Sequence, residues 1–378
     1  MVSKTLNNPF PSPFTIHHSP LTMLTHTAQR PDYIEQLRAE AGGRPFRPAK
    51  KAKRTASPNP REAHHLFHVC TGNRWMDLGD REPPPKMLFG EFWHRGELCI
   101  LFADTNVGKS ILAVQIANSI SRHSPIRPFA LQTGPAKVLY IDFELTTAQF
   151  SVRYRSEKGN YNFSDKFFRA DFDHKAAMPD SFNSYDEFVV AGIEYKIMLV
   201  QPAVLIIDNI TCLRGGTENA SAALSLMQRL KTLKAEYKLS VLVLAHTPKR
   251  RNPRRPLTAD DLQGSKLLIN FADSAFTIGR SSVKKGWCYL KQIKQRSTTQ
   301  LYGEDNVCLC RLWRVNGFLR FGFKGMGSER DHLLPHAVHK RQQLPAKVVQ
   351  LSAEGFSQRQ IRKKLHISLG SVNKLVNG

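Results

Sequence analysis

The 378-residue sequence contains no run of 18 apolar residues, so no segment has the length and apolarity of a membrane-spanning helix. Its first residues lack the apolar core of a secretory leader. Six cysteines occur and none forms a Cys-x-x-Cys pair, which argues against a zinc ribbon or a redox dithiol. Cys99, Cys308 and Cys310 lie in strand-like segments and are expected to be buried free thiols of a reducing compartment. Acidic side chains are scarce against basic ones, 31 Asp and Glu to 55 Lys and Arg, leaving a net charge of +24. The expectations are a soluble, cytoplasmic protein with no membrane partner, whose partner is a polyanion, nucleic acid before membrane.

The stretch from Gly96 to Ser110 organises what is present. Leu98 to Phe102 is a continuous apolar run of strand length, and Ile111 to Ala117 is apolar enough for a helix buried on most faces. Between them Ala103-Asp104-Thr105-Asn106-Val107-Gly108-Lys109-Ser110 has the pattern of a phosphate-binding loop, which runs on into Ile111. Backbone N–H groups at a helix start converge on an anion, and the helix dipole adds positive charge there. Lys109 is expected to reach the β- and γ-phosphates of a nucleotide, and the Ser110 hydroxyl to ligate Mg²⁺. Ala103 stands where a glycine is usual, so its backbone must be one that L-residues adopt.

Further strands ending in polar residues follow. Lys137 to Phe143 leads to Glu144, expected on a strand beside the phosphate-loop strand, where it can polarise an attacking water. Val204 to Ile207 is closed by Asp208, placed to hold Mg²⁺ opposite Ser110. Ser240 to Ala245 ends in His246, a candidate sensor of the γ-phosphate. Helices are expected over 146–158, 184–200, 222–237 and 260–270, and a further strand over 166–172. Strands over 273–279 and 287–296, then a hairpin over 308–323 turning at Gly317, close the block. This alternation predicts an α/β fold, a mostly parallel sheet with helices on both faces and an antiparallel edge. Directly after His246 comes Lys249-Arg250-Arg251-Asn252-Pro253-Arg254-Arg255, a loop whose crowded cations suit DNA phosphates.

These motifs coincide with those of RecA-like ATPases over roughly 75–325. Within that group the chain resembles the RepA/DnaB-type hexameric helicase ATPases of plasmids and mobile elements. The resemblance implies ATP and Mg²⁺ as cofactors, Glu144 as catalytic base, and single-stranded DNA against the loop of Lys249, Arg250, Arg251, Arg254 and Arg255. It also implies a homo-oligomer, a hexamer in that group, with Lys294 and Arg296 of Lys294-Gln295-Arg296 entering the neighbouring subunit's nucleotide site.

The tail carries a second pattern. Val348, Val349 and Leu351 form an apolar face, Gly355 ends that helix, and Ser357 and Ser368 cap two more bearing Ile361, Leu365, Val372, Leu375 and Val376. This is a trihelical helix-turn-helix pattern, similar to the C-terminal DNA-binding units of resolvases and response regulators. Ser371, Asn373 and Lys374 are placed to meet duplex DNA base edges, and Arg359, Arg362 and Lys363 to meet phosphates. The expected organisation is a mostly disordered basic segment 1–61, an ATPase domain 62–325, a linker 326–343 and a DNA-binding unit 344–378. The reading is an ATP-hydrolysing, helicase-like protein of plasmid or mobile-element replication or mobilisation. The alternative is a DNA-binding regulator whose ATPase core sets its oligomeric state without unwinding.

Overall fold

A computed structural model of the chain describes residues 66–210, 220–248, 255–262, 266–333 and 336–377. The chain divides into two compact units, 1–79 and 80–378. In the first, the described residues hold one helix, α1 (Gly72–Gly79).

The second unit is built on a nine-stranded, mostly parallel sheet with helices against it. Its strands are β3 (Leu98–Ala103), β4 (Val138–Asp142), β7 (Phe167–Asp171), β8 (Val204–Asp208), β9 (Ser240–His246), β10 (Ser274–Arg280), β11 (Trp287–Lys294), β12 (Val307–Val315) and β13 (Phe318–Gly327). Their order across the sheet is β13-β12-β11-β10-β3-β9-β8-β4-β7. The six strands from β10 to β7 run parallel, and β11, β12 and β13 add antiparallel pairs at one side. Two small hairpins, β1 (Met87–Phe89) with β2 (Trp93–His94) and β5 (Arg155–Ser156) with β6 (Gly159–Asn160), complete the strands.

The side-chain period of two divides β3 between two cores. Cys99, Leu101 and Ala103 face a layer containing helix α2 (Lys109–Arg122), while Leu98, Ile100 and Phe102 face a layer containing α4 (Tyr185–Val200) and α5 (Ala220–Glu236). Every residue of β3, β4 and β8 is buried, as expected for central parallel strands covered on both faces. Phe92 and Trp93 are wholly buried, Phe92 within an aromatic cluster with Phe89, Phe129, Phe276 and Tyr302.

Several expectations need correction. Glu144's strand β4 is not beside the phosphate-loop strand, because β9 and β8 lie between them. The helix expected over 146–158 is only α3 (Thr147–Arg153). A capping box of Thr146 and Gln149 starts it, and the chain then turns at Gly159 (φ 118°) into the β5–β6 hairpin. The helix expected over 260–270 is a 3₁₀ turn at Ala259–Asp261 and a short α6 (Lys266–Phe271).

After β13 come α7 (Glu329–Leu333), α8 (His336–Ala353), α9 (Gln358–Leu365) and α10 (Leu369–Asn377). Helix α8 therefore runs through much of the expected linker, with Pro345 inside it. Val348, Leu351, Ile361 and Val372 form one small core shared by α8, α9 and α10. Gly355 sits at φ 85° beyond α8, and Ser357 caps α9 in a box with Gln360. Val349, expected inward, is exposed, because the buried face of α8 is set by Val348 and Leu351. Among the described residues no helix is long and apolar enough to cross a membrane, and the described cysteines are free thiols.

Candidate functional site

The site lies at the C-terminal ends of the parallel strands. Ala103 closes β3 in extended backbone, so alanine carries no strain where a glycine is usual. The unusual conformations of the loop fall later, at Asn106 (φ 57°) and Gly108 (φ 107°). A Cβ at Gly108 would also stand 2.8 Å from the Phe321 ring, so both φ and space demand glycine there. Helix α2 begins at Lys109, immediately after it. Arg280, at the end of β10, donates to the Asn106 carbonyl at 2.9 Å and braces the loop from outside.

Register brings the polar strand ends level. Ala103 pairs with His246, and Asp142 with Asp208. The Lys109 ammonium donates to the carbonyls of Ala103 (3.0 Å) and Asp104 (3.1 Å) and stands 3.1 Å from His246 Nδ1. On its other side His246 Nε2 is 3.1 Å from Glu144 Oε1 and 2.9 Å from Asn209 Nδ2. The Asn209 amide in turn donates to Glu144 Oε1. One polar chain thus runs from Lys109 through His246 to Glu144. Glu144 sits three strands from β3, and His246 bridges the gap.

Charge in the cluster is poised by burial and pairing. The hydrogen bond from His246, with the charges of His246, Lys109 and Arg153, holds the Glu144 carboxyl below its ordinary pKa against partial burial. It is therefore an ionised acceptor at neutral pH. Burial pulls the Lys109 ammonium below its ordinary value, opposed by the carboxylates of Glu144, Asp208 and Asp104. Asp208 is wholly buried, and burial raises its pKa to about 6, against the hydrogen bond from Tyr140 and the influence of the nearby Ser110 hydroxyl.

The Tyr140 hydroxyl donates to Asp208 Oδ2 at 2.6 Å, while Oδ1 is buried without a hydrogen-bond partner. A buried carboxylate oxygen left bare beside a serine hydroxyl is an oxygen set that a hard cation such as Mg²⁺ fits. Ser110 and Asp208 are the residues that would hold it.

Sequence reasoning missed four positioning residues. Asn209 and Tyr140 tie Glu144 and Asp208 into the cluster, as described. Asp142 and Arg169 shape the turn that presents Glu144. Asp142 Oδ1 accepts from the backbone N–H groups of Glu144 (3.1 Å) and Leu145 (2.9 Å). The Arg169 Nε donates to Asp142 Oδ2 at 2.9 Å, and its other nitrogen reaches the Leu145 carbonyl and Asp171. Asn209 and Asp142 were findable, since Asn209 follows Asp208 directly and Asp142 lies two residues before Glu144. Nothing local marks Arg169 or Tyr140, which act across strand pairs.

The remaining candidates lie apart from this cluster. Strand β11 runs against β10, so Lys294 pairs with Ala275, level with Ile100 in the middle of β3 and not with its end. Lys294 donates to the Ile269 carbonyl (2.6 Å), and Arg296 to the Asn270 carbonyl (3.1 Å) and to Asp273 (3.4 Å), closing the end of α6. Three residue steps of β3 separate the level of Lys294 from Ala103, roughly 10 Å along the strand, and β10 lies between. As placed, both side chains are engaged at the end of α6 rather than with the Lys109–Glu144 cluster.

Of the basic loop, Lys249, Arg250, Arg251 and Arg254 lie outside the described residues. Arg255 is engaged internally, 2.5 Å from the buried Asp261 carboxylate and 3.2 Å from Thr258 Oγ1. In the tail, Arg359, Arg362, Lys363, Ser371, Asn373 and Lys374 are all exposed, with Ser371 Oγ 2.8 Å from Ser368 Oγ.

A parallel sheet whose central strand delivers a phosphate loop to a helix start, ringed by Lys109, Ser110, Asp208 and Glu144, defines a P-loop ATPase-like domain. Residues 65–252 match the family model described as an AAA domain, a P-loop ATPase-like family of the RecA type. The match takes in the phosphate loop, Glu144, Asp208, Asn209 and His246, and ends before Lys294. The chain matches none of the curated proteins.

Proposed function

We propose that the protein is a DNA-binding ATPase of the helicase-like kind, coupling ATP hydrolysis to work on DNA in the replication or mobilisation of a plasmid or mobile element. The observation that carries the hydrolytic part is the polar chain from Lys109 through His246 to Glu144, beside the bare oxygen of Asp208.

In this reading the N–H groups at the start of α2 and the Lys109 ammonium take the phosphates of ATP. The ammonium exchanges its present carbonyl partners for phosphate oxygens. Mg²⁺, held by Ser110 and Asp208, supplies neutralising charge when bound. Glu144, ionised and fixed by Asn209 and the Asp142 turn, orients a water in line with the γ-phosphate and takes its proton. His246 bridges Glu144 and Lys109, so it registers whether the γ-phosphate is present.

Arg296, held at the end of α6 in its own chain, acts in a neighbouring subunit of a homo-oligomer. The cations after His246 contact single-stranded DNA, and the C-terminal helices form a helix-turn-helix on duplex DNA. What supports the DNA reading is the net charge of +24 and the exposed basic side chains of α9.

The test is the ATPase rate with and without single-stranded DNA, followed by strand displacement on a forked duplex. Stimulation together with displacement is expected. Stimulation without displacement moves the protein to the regulator class, and no stimulation removes DNA from its reaction.

A further inference from the structure

A second cavity, of about 510 Å³, opens between the C-terminal half of α2 and the start of β13, and the cluster around Lys109 does not use it. Three arginines line it, Arg122, Arg127 and Arg320, and its lining contains no carboxylate. None of the three has an ion-pair partner among the described residues, and Arg320 Nε is buried without a hydrogen-bond partner. Three cations facing one space repel unless an anion sits among them.

The same cavity is walled by aromatic rings. Tyr161 lies beneath the Arg122 guanidinium at 5.6 Å. Trp313 is 44% exposed and lies across Gly322, where a Cβ would come within 2.7 Å of its ring. The Lys324 ammonium stands 4.7 Å from that ring and adds a positive charge beside it. Arginines for phosphate beside an accessible aromatic for a base is the chemistry that binds nucleotides by stacking and charge. The volume falls in the range of small-ligand pockets, enough for one nucleotide unit.

The cavity floor is also rigidly placed. The Gln115 side chain pairs with the Phe321 backbone in both directions, at 3.0 and 2.8 Å. The Phe321 ring packs near Gly108, so Phe321 lies between this cavity and the phosphate loop.

We propose that this cavity is a second nucleotide-unit site, separate from the phosphate loop, which takes one phosphate among Arg122, Arg127 and Arg320 and one base against Trp313. The unit can come from a single strand crossing the surface or from a free nucleotide, and the chemistry is the same. The inference stands apart from the proposed hydrolysis, since no residue of the Lys109–Glu144 chain takes part.

The test is tryptophan fluorescence of the full chain titrated with a twelve-residue oligo-dT and, separately, with dTMP. Quenching is expected, and it should vanish in Trp313→Phe, which assigns it to this cavity. Arg127→Glu, at an exposed side chain, should weaken the quenching titration at least 10-fold. Arg122→Gln with Arg127→Gln is the second variant, and it too should weaken the titration while the melting curve stays that of the parent. A much tighter response to oligo-dT than to dTMP identifies a strand as the source, and equal responses identify free nucleotide. Quenching that survives Trp313→Phe, or an unchanged titration in both arginine variants, overturns the proposal. ATPase activity can be present or absent in either case, so the two readings fail separately.

Discussion

Asp208→Asn should make the metal-free protein more stable while disabling its nucleotide chemistry. Burial raises the Asp208 pKa from 3.8 to about 6. Between those values the folded protein holds a proton that the unfolded chain has released. Stability therefore falls as pH rises from about 4 to about 6, and the full penalty persists above that window. A shift from 3.8 to about 6 is worth about 3 kcal/mol at 1.36 kcal/mol for each unit.

Asparagine keeps the acceptor for the Tyr140 hydroxyl and removes the charge. The variant should thus exceed the parent by about 2–3 kcal/mol at pH 8, and the gain should shrink toward zero near pH 4. Urea melts at both pH values, without Mg²⁺ and with chelator, measure it. Adding Mg²⁺ with ATP should then stabilise the parent and leave the variant unmoved. An asparagine variant less stable than the parent at pH 8 would refute the assignment of Asp208 as a buried, uncompensated charge.

Other outcomes follow from the same geometry. Gly108→Ala meets both a left-handed φ and the Phe321 ring, so it should cost about 1–3 kcal/mol in thermal melts and lose nucleotide binding. Arg169→Ala frees the turn that aims Glu144, so kcat should fall by about 10-fold to 100-fold with KM for ATP little changed. A matched loss in KM would place Arg169 in binding instead. Arg296→Ala should bind ATP normally and hydrolyse it slowly, by a factor on the order of 10³, if the side chain serves a neighbour. Mixing it with Lys109→Ala should restore activity in co-assembled subunits, and failure to do so would return Arg296 to capping α6. Neutralising the loop arginines Arg250, Arg251, Arg254 and Arg255 should reduce DNA-stimulated ATPase, whereas removing 344–378 should spare it and abolish preference for a particular duplex.

The sequence was most legible where one stretch carried both shape and chemistry. The apolar runs ending in Asp208 and His246 announced buried parallel strands, and the phosphate loop announced the start of α2. Gly317, after Asn316, announced the β12–β13 turn, where both residues adopt positive φ (80° and 48°). Strand order was not legible, because β4, β8 and β9 have the same kind of apolar run and nothing local says which lies beside β3. Glu144 still lies in the cluster despite that error, since reaching His246 and Asn209 depends on being at a strand end rather than on which strand. The support beneath it was invisible for a different reason: Arg169 reaches Asp142 from the neighbouring strand β7. Such pairs exist only once register is set. The end of α3 was missed because the polar residues 155–158 suit a helix as well as a hairpin.

The most direct measurement is a comparison of ATP binding and turnover in the parent and in Glu144→Gln. Glutamine keeps the size of the side chain and its hydrogen bonds to Asn209 and His246, but it cannot take a proton from water. Binding of a fluorescent ATP analogue should match the parent within a few-fold, while single-turnover hydrolysis falls by about 100-fold or more. Parent-like hydrolysis in Glu144→Gln would contradict the account at its centre, because the polar chain from Lys109 to Glu144 would then not be the hydrolytic machinery.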